Sequence, residues 1–406
     1  MQNQQQVKPN FEFIALMASL MSIVALAIDA LLPAIAEIGI SINSLDPTDN
    51  QLLIVMIFLG LGFGQLFFGP LSDSYGRKPV VYIGFVLFAL ASILCVLSPS
   101  LEWMVVGRIL QGIGLSAPRT VSISIIRDTY TGDYMAKIMS FVTAFFILVP
   151  VVAPAIGKLI LETMGWEAIF YMQLFFAFVV GIWFWKRQAE TLKPEYKVPF
   201  SLSIFIQGTK EIFKYKETVA CTMVSGFITG SFLVYLSSAQ HVFEDQYNLK
   251  DSFPYIFAGL AISIGCSTFL NGTLVIRFGM RKLALYALAL FTVVALLYVV
   301  LFFGRPNPGL PILLIFLASL FFCLGFVWGN MRSIAMQPIG HIAGIGAAIT
   351  GFISTILSIP ISLYVGSFVQ DTVWPLFVGL GTCGLLSVIL FLLFRTKPVQ
   401  VRRVSF

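Results

Sequence analysis

Apolar runs of about 20 residues or more alternate with short polar segments from one end of the chain to the other, and a helix of that length reaches across the hydrocarbon core of a bilayer. Twelve such runs can be delimited: 11–39, 49–71, 79–97, 100–126, 136–160, 167–187, 217–239, 252–276, 282–303, 309–333, 342–369 and 372–395. A backbone in lipid has to satisfy its own polar groups, so runs of this kind are helices. The pattern predicts an all-α membrane protein with twelve transmembrane helices.

The longest polar stretch runs from Lys186 to Lys216 and contains Pro194 and Pro199. It divides the chain into an N-terminal bundle of six helices (1–187), a linker (188–216) and a C-terminal bundle of six (217–406). Within the linker, Ser201–Lys216 mixes Ile204, Phe205, Ile206, Ile212 and Phe213 with lysines, a composition suited to an amphipathic helix on the membrane surface. The two halves also repeat. The loop after helix two begins at Gly69 and has a second glycine, Gly76, seven residues on; the loop after helix eight does the same with Gly272 and Gly279, each followed by basic residues. The expected fold is therefore two pseudo-symmetric six-helix bundles.

Composition agrees and adds an orientation. Hydrophobic residues make up 58% and charged residues 11% of the 406, against roughly a quarter charged in soluble domains, so no soluble fold hides this surface. Lys and Arg favour cytoplasmic loops. Of the 25 Lys and Arg, two lie inside helix four and three (Lys158, Lys250, Arg305) fall on one side of the membrane. All the others share the side of both termini, which is therefore expected to be cytoplasmic. The basic balance is thus a matter of topology and implies no nucleic acid. The five cysteines lie within apolar runs without metal-ligand spacing, and no phosphate-binding G-x-x-x-x-G-K-[ST] loop or Ser/His/Asp grouping occurs. An enzyme is not expected, and neither a metal nor another cofactor; the energy source would be an ion gradient, namely protons.

The loop after helix two carries the most specific motif. Gly69, Leu71, Ser72, Asp73, Gly76, Arg77 and Lys78 fill every specified position of G-x-L-[AS]-D-x-x-G-R-[RK]. In this the chain resembles the major facilitator superfamily, and further segments resemble its bicyclomycin/chloramphenicol-resistance (Bcr/CflA) group of drug:proton antiporters: Asp29 to Pro33, Arg108 to Gly112, Arg127–Asp128, and Gln337 to Gly344. The resemblance implies the major facilitator fold, multidrug efflux and antibiotic resistance, and a multi-pass protein of the bacterial inner membrane. It also implies that the loop residues Gly69, Asp73, Gly76, Arg77 and Lys78 form a cytoplasmic gate with Asp128. In physical terms, Arg77 is placed to pair with Asp128, and Asp73 to face the positive N-terminus of helix eleven. Both contacts are expected only when the halves close on the cytoplasmic side. Helix five reads Ala153-Pro154-Ala-Ile-Gly157-Lys158, a partial match to the exporters' G-P-x-x-G-G, with Ala and Lys replacing two glycines.

Three ionisable residues lie deep in predicted helices, where a charge costs roughly 2.5–3.5 kcal/mol even on lenient scales. They are Asp29 in helix one and Arg108 and Arg119 in helix four. Asp29 and Arg108 fall at similar depth and are expected to pair and couple transport to protons; the resemblance assigns them the same role, and a permanent structural ion pair is the plainer alternative. Arg119 follows Arg108 by 11 residues, about three turns and about 16.5 Å along one face. Gln111, Gly112, Leu115 and Ser122 share that stripe, which is expected to line a central cavity. With Phe146, Tyr235 and Trp328 as apolar wall, Arg119 and Gln111 would bind cargo, and the excess of positive charge suits a neutral, zwitterionic or anionic compound. Arg119 as a structural or snorkelling residue is the plainer alternative.

The function expected is a proton-coupled antiporter that exports small amphiphilic compounds by alternating access, working as a monomer in the lipid bilayer. A dedicated transporter of one anionic or zwitterionic metabolite, such as a siderophore or organic acid, is the alternative. A receptor or scaffold that no longer transports forms a third class, and it would need neither the intact loop nor the buried charges.

Overall fold

The structure, a computed structural model, describes residues 11–394 apart from 45, 46, 131 and 202. Lys8 and the basic residues from Arg395 onward, which enter the charge argument, lie outside the described residues. Among the described residues, twelve helices are long and apolar enough to cross a membrane. In the first half they are α1 (Phe11–Asp29), α2 (Leu52–Tyr75), α3 (Arg77–Val96), α4 (Leu101–Thr129), α5 (Gly132–Met164) and α6 (Glu167–Arg187). In the second they are α7 (Lys216–Gln240), α8 (Phe253–Phe278), α9 (Met280–Leu301), α10 (Leu310–Met336), α11 (Ala343–Gly366) and α12 (Trp374–Leu393). The outward faces of α3, α6, α9 and α12 expose large apolar side chains such as Leu90, Phe178, Val300 and Leu392. Water would penalise such a surface, whereas lipid accepts it.

Helix one departs from the continuous span expected over 11–39. Its α-helix ends at Asp29, a 3-10 turn follows over Leu32–Ala34, and a short helix resumes at Ile35–Ser41. Pro33 explains the break, because proline has no N–H to donate and its ring clashes with the preceding turn. Carbonyls near the end of α1 are thereby left without helical partners.

Glycines set the closest helix contacts. A Cβ added to Gly60 of α2 would lie 2.0 Å from the Ile109 carbonyl oxygen of α4, and one on Gly112 would lie 2.1 Å from that of Ile57. The facing pair lets two backbones touch, as small residues do in membrane helix packing. The repeat has a geometric counterpart at the corners. Gly76 between α2 and α3 and Gly279 between α8 and α9 both take positive φ, 115° and 82°, a region closed to most side chains.

The face bearing these corners and the central linker is called the linker face below. The linker helix forms over Ser203–Lys214, but it packs on protein rather than lying free: Phe205 meets Phe67 of α2 at 6.2 Å between ring centroids, and Ile212 is buried with Ile339 and Ile349. The halves meet through α2 against α11 and α5 against α8.

Candidate functional site

At the α2–α3 corner, Arg77 is only 2% exposed and is bound on several sides. Its Nε donates to Asp128 Oδ2 at 2.8 Å, and its Nη1 donates to Ser72 Oγ at 2.8 Å and to the Asp73 carboxylate. Thr191 Oγ1 of the linker donates to the same Asp128 oxygen at 3.1 Å. Glu190 receives the backbone N–H groups of Arg77 and Lys78, each at 3.0 Å, and so covers the donors that the start of α3 leaves open. Partial desolvation pushes the Glu190 carboxyl up, but backbone N–H bonds from Leu192, Lys78, Arg77 and Thr191 outweigh it and hold the group below its usual range.

The corner holds the expected Arg77–Asp128 pair and adds partners to it. Asp73 bonds Arg77 and lines the same cavity as Gly344 of α11, and every bond of the network stays within the first half and its linker. Closure of the halves on this face is not required for it. Gly69 and Lys78 sit at the same corner, with Lys78 Nζ donating to the Trp185 carbonyl at 3.2 Å. Nothing in the polar linker sequence distinguishes Glu190 from its neighbours as a helix cap.

Arg108 is fully buried, and it does not pair with Asp29. Nη1 and Nη2 both donate to the Ala27 carbonyl at 3.2 Å, Nε donates to that of Leu53 at 2.7 Å, and Nη1 also donates to Gln111 Oε1 at 2.7 Å. Gln111 Nε2 continues to Ser92 Oγ at 2.8 Å. The chain of bonds ties α4 to α1, α2 and α3. Arg108 finds the Ala27 carbonyl because α1 stops two residues later. Matching depth along two helices could not show this, since it ignores that the Leu31 N–H bonds the Ile28 carbonyl and leaves that of Ala27 open.

Asp29 is 6% exposed and makes no ion pair or hydrogen bond among the described residues. It lies within electrostatic reach of Tyr235 on α7 of the other half, whose hydroxyl is buried without a hydrogen-bond partner among the described residues. Tyr235 stands edge-on to Phe321 at 4.6 Å, and Phe232 links it to Trp328 at 5.2 Å. Tyr235 and Trp328 therefore belong to one aromatic cluster of the second half, beside Asp29 rather than beside Arg119.

Arg119 lines a cavity of about 350 Å³ between the halves, toward the linker face. With it are Gln65, Asp73, Arg127, Arg332 and Gly344. The stripe expected to share this lining does not. Gln111, Leu115 and Ser122 are buried against neighbouring helices, and Gly112 rests on α2. At the depth of Arg108 the face of α4 is covered by α1 and α2; only beyond Pro118 is it open. Phe146, half-buried on α5, does not line this cavity either. Arg332, near the linker-face end of α10, lines the cavity as well.

On the opposite face the halves are latched. Gln240 of α7 donates from Nε2 to the Pro33 carbonyl at 3.0 Å and accepts from the Ala36 N–H at 3.3 Å. Gln51 Nε2 donates to the Gly366 carbonyl at 3.3 Å. Lys158, one of the two departures in the helix-five motif, pairs with Asp251 across the halves at 2.7 Å, while Gly157 lets α5 lie on the Ala30 carbonyl. The cavity and the latch together describe two bundles closed on one face and hollow on the other.

Comparison with known proteins agrees with this architecture. The chain is 26% identical to the bicyclomycin resistance protein homolog of Haemophilus influenzae, covering 98% of this chain and 99% of the relative. It is 30% identical to the MFS-type transporter YdgK of Bacillus subtilis over 84% of this chain and 85% of that one. The crystal structure of a D-xylose-proton symporter superposes with a TM-score of 0.73 at 16% identity, covering 94% of this chain and 97% of the other, a likeness of fold. The family model of the Major Facilitator Superfamily matches residues 14–363, and the chain belongs to that superfamily of membrane transporters.

Proposed function

We propose that the protein is a proton-coupled antiporter that exports small amphiphilic compounds, with both termini and the linker face in the cytoplasm of a bacterial cell and the twelve helices in its inner membrane. One observation carries the reading. Asp29 is a carboxyl group buried at the junction of the two halves, with no cation bonded to it among the described residues, at the point where α1 breaks. A carboxyl so placed is costly when charged, and it becomes tolerable when it binds a proton or meets water through a cavity. Alternate exposure to the two sides then moves a proton in each cycle.

Protonation of Asp29 and cargo binding would be alternatives. With the opposite face latched, cargo enters the cavity lined by Arg119, and the halves rock about the α2–α11 and α5–α8 contacts. Exposure of Asp29 to the outside returns the proton and resets the cycle. The name of the Haemophilus influenzae relative, a resistance protein, supports drug-like cargo. The alternative, a dedicated transporter of one anionic or zwitterionic metabolite, is favoured by the arginines of the cavity.

The test is transport by the purified protein in vesicles carrying a pH gradient. Wild type is expected to move amphiphilic compounds uphill against their own gradient, and Asp29→Asn to lose uphill movement while still exchanging cargo downhill. Undiminished uphill transport by Asp29→Asn would exclude the coupling role.

A further inference from the structure

Among the described residues, the cavity at the linker face is lined by three arginines, Arg119, Arg127 and Arg332, against one acid, Asp73. Asp73 is already committed to Arg77. Arg119 comes from α4 of the first half and Arg332 from α10 of the second, and the two guanidinium groups are close enough to repel each other. Neither side chain makes a hydrogen bond or an ion pair among the described residues. Two unneutralised like charges on opposite walls of one cavity oppose the motion that would bring those walls together, more strongly as water leaves. Planar guanidinium forks are also the groups best suited to grip carboxylates.

We infer that Arg119 and Arg332 form a two-point clamp for an amphiphile bearing one or, better, two carboxylates, and that its binding neutralises the pair so that the linker face can close. The inference rests on the transporter reading and names both its cargo class and the step that cargo controls. A carboxylate between the two walls turns a repulsion into two attractions. An empty clamp holds the linker face apart, so the protein does not close without cargo and does not dissipate the proton gradient. Gly344 and Ile345, in the first turn of α11, add the positive end of a helix to the same cavity, and the apolar remainder of the lining accommodates the ring or chain that carries the carboxylate.

The experiment uses the full chain in phosphatidylcholine vesicles, with the exposed Cys266 changed to Ser. Spin labels are attached through Tyr75→Cys at the end of α2 and Phe278→Cys at the end of α8, both exposed on the linker face. Label separation and binding are measured with phthalate, benzoate and neutral benzamide. Phthalate is expected to shorten the separation and benzamide to leave it unchanged. Phthalate affinity should fall about tenfold or more in Arg119→Gln and again in Arg332→Gln. The double variant should close without any anion, and Arg332→Lys, which keeps the charge, should still require one. Wild-type phthalate affinity in Arg332→Gln, or a double variant that stays open, would overturn the clamp. So would closure of the wild type by phosphatidylglycerol alone, which would assign the arginines to a lipid headgroup. Transport of chloramphenicol, a neutral amphiphile, is followed in parallel under a pH gradient. Movement of chloramphenicol without phthalate dependence on the arginines sinks the clamp and keeps the transporter; the converse keeps the clamp and sinks the transporter.

Discussion

The guanidinium of Arg108 straddles the carbonyl oxygen of Ala27, with Nη1 and Nη2 both at 3.2 Å. A cation in helix four thereby closes the end of helix one, and the acid two residues further on is left free of it. Two buried ionisable residues that depth alone would join are thus kept apart, one bonded and the other not.

That division predicts opposite phenotypes. Arg108→Ala leaves the carbonyls of Ala27 and Leu53 and the Gln111 amide short of a donor, at about 1–3 kcal/mol for each buried group unsatisfied. Thermal unfolding in detergent should fall clearly. Arg108→Lys should rescue only part of it, because one ammonium cannot reach carbonyls on two helices in the guanidinium's fork geometry.

Asp29→Asn should behave in the other way. No ion pair is broken, so the melting temperature is expected to hold or rise, since a buried group that can carry charge is replaced by one that cannot. A melting temperature that drops as far as that of Arg108→Ala would mean that Asp29 has a structural partner after all.

Glu190 makes a pH prediction. Its carboxyl is held below the usual range by the N–H groups it accepts, so the charged form stabilises the corner. The contribution is full above the ordinary glutamate value of about 4.3 and is lost as pH falls through the lowered folded value. Wild type should therefore outlast Glu190→Gln by a constant margin near neutrality, and the margin should shrink below about pH 4.3. A margin independent of pH would show that the bonds do not depend on the charge.

Glycines separate packing from flexibility. Gly60→Ala would drive a methyl into the Ile109 backbone at 2.0 Å and should sharply lower the yield of folded protein. Gly272→Ala, in α8 with nothing within 4 Å of the added carbon, should be neutral or stabilise by about 0.5–1 kcal/mol through helix propensity. Equal behaviour of the two variants would contradict the close α2–α4 contact.

How far the sequence reaches can be judged residue by residue. Its apolar runs suffice for the spans because length and hydropathy alone decide whether a helix crosses a bilayer. The glycine spacing at Gly76 and Gly279 marks the repeated corner, since a positive φ admits little else. The Arg77–Asp128 pair was also within reach, because both residues stand at the same end of adjacent helices. Which neighbours a deep side chain meets was not. Arg108 turned to the Ala27 carbonyl at the end of α1, Gln111 turned to Ser92, and Tyr235 came to Asp29 from the other half.

Sequence by itself therefore determined the class, the twelve spans, the repeat and the inventory of buried charge, all of which follow from local composition and periodicity. Tertiary structure alone decided how those charges were spent. It placed Asp29 free at the junction of the halves, consumed Arg108 in closing a helix end, and set Arg332 from the second half against Arg119 from the first. The reason is geometric: hydrogen bonds and cavities between helices depend on rotation and register across the bundle, and no local pattern in the chain encodes those.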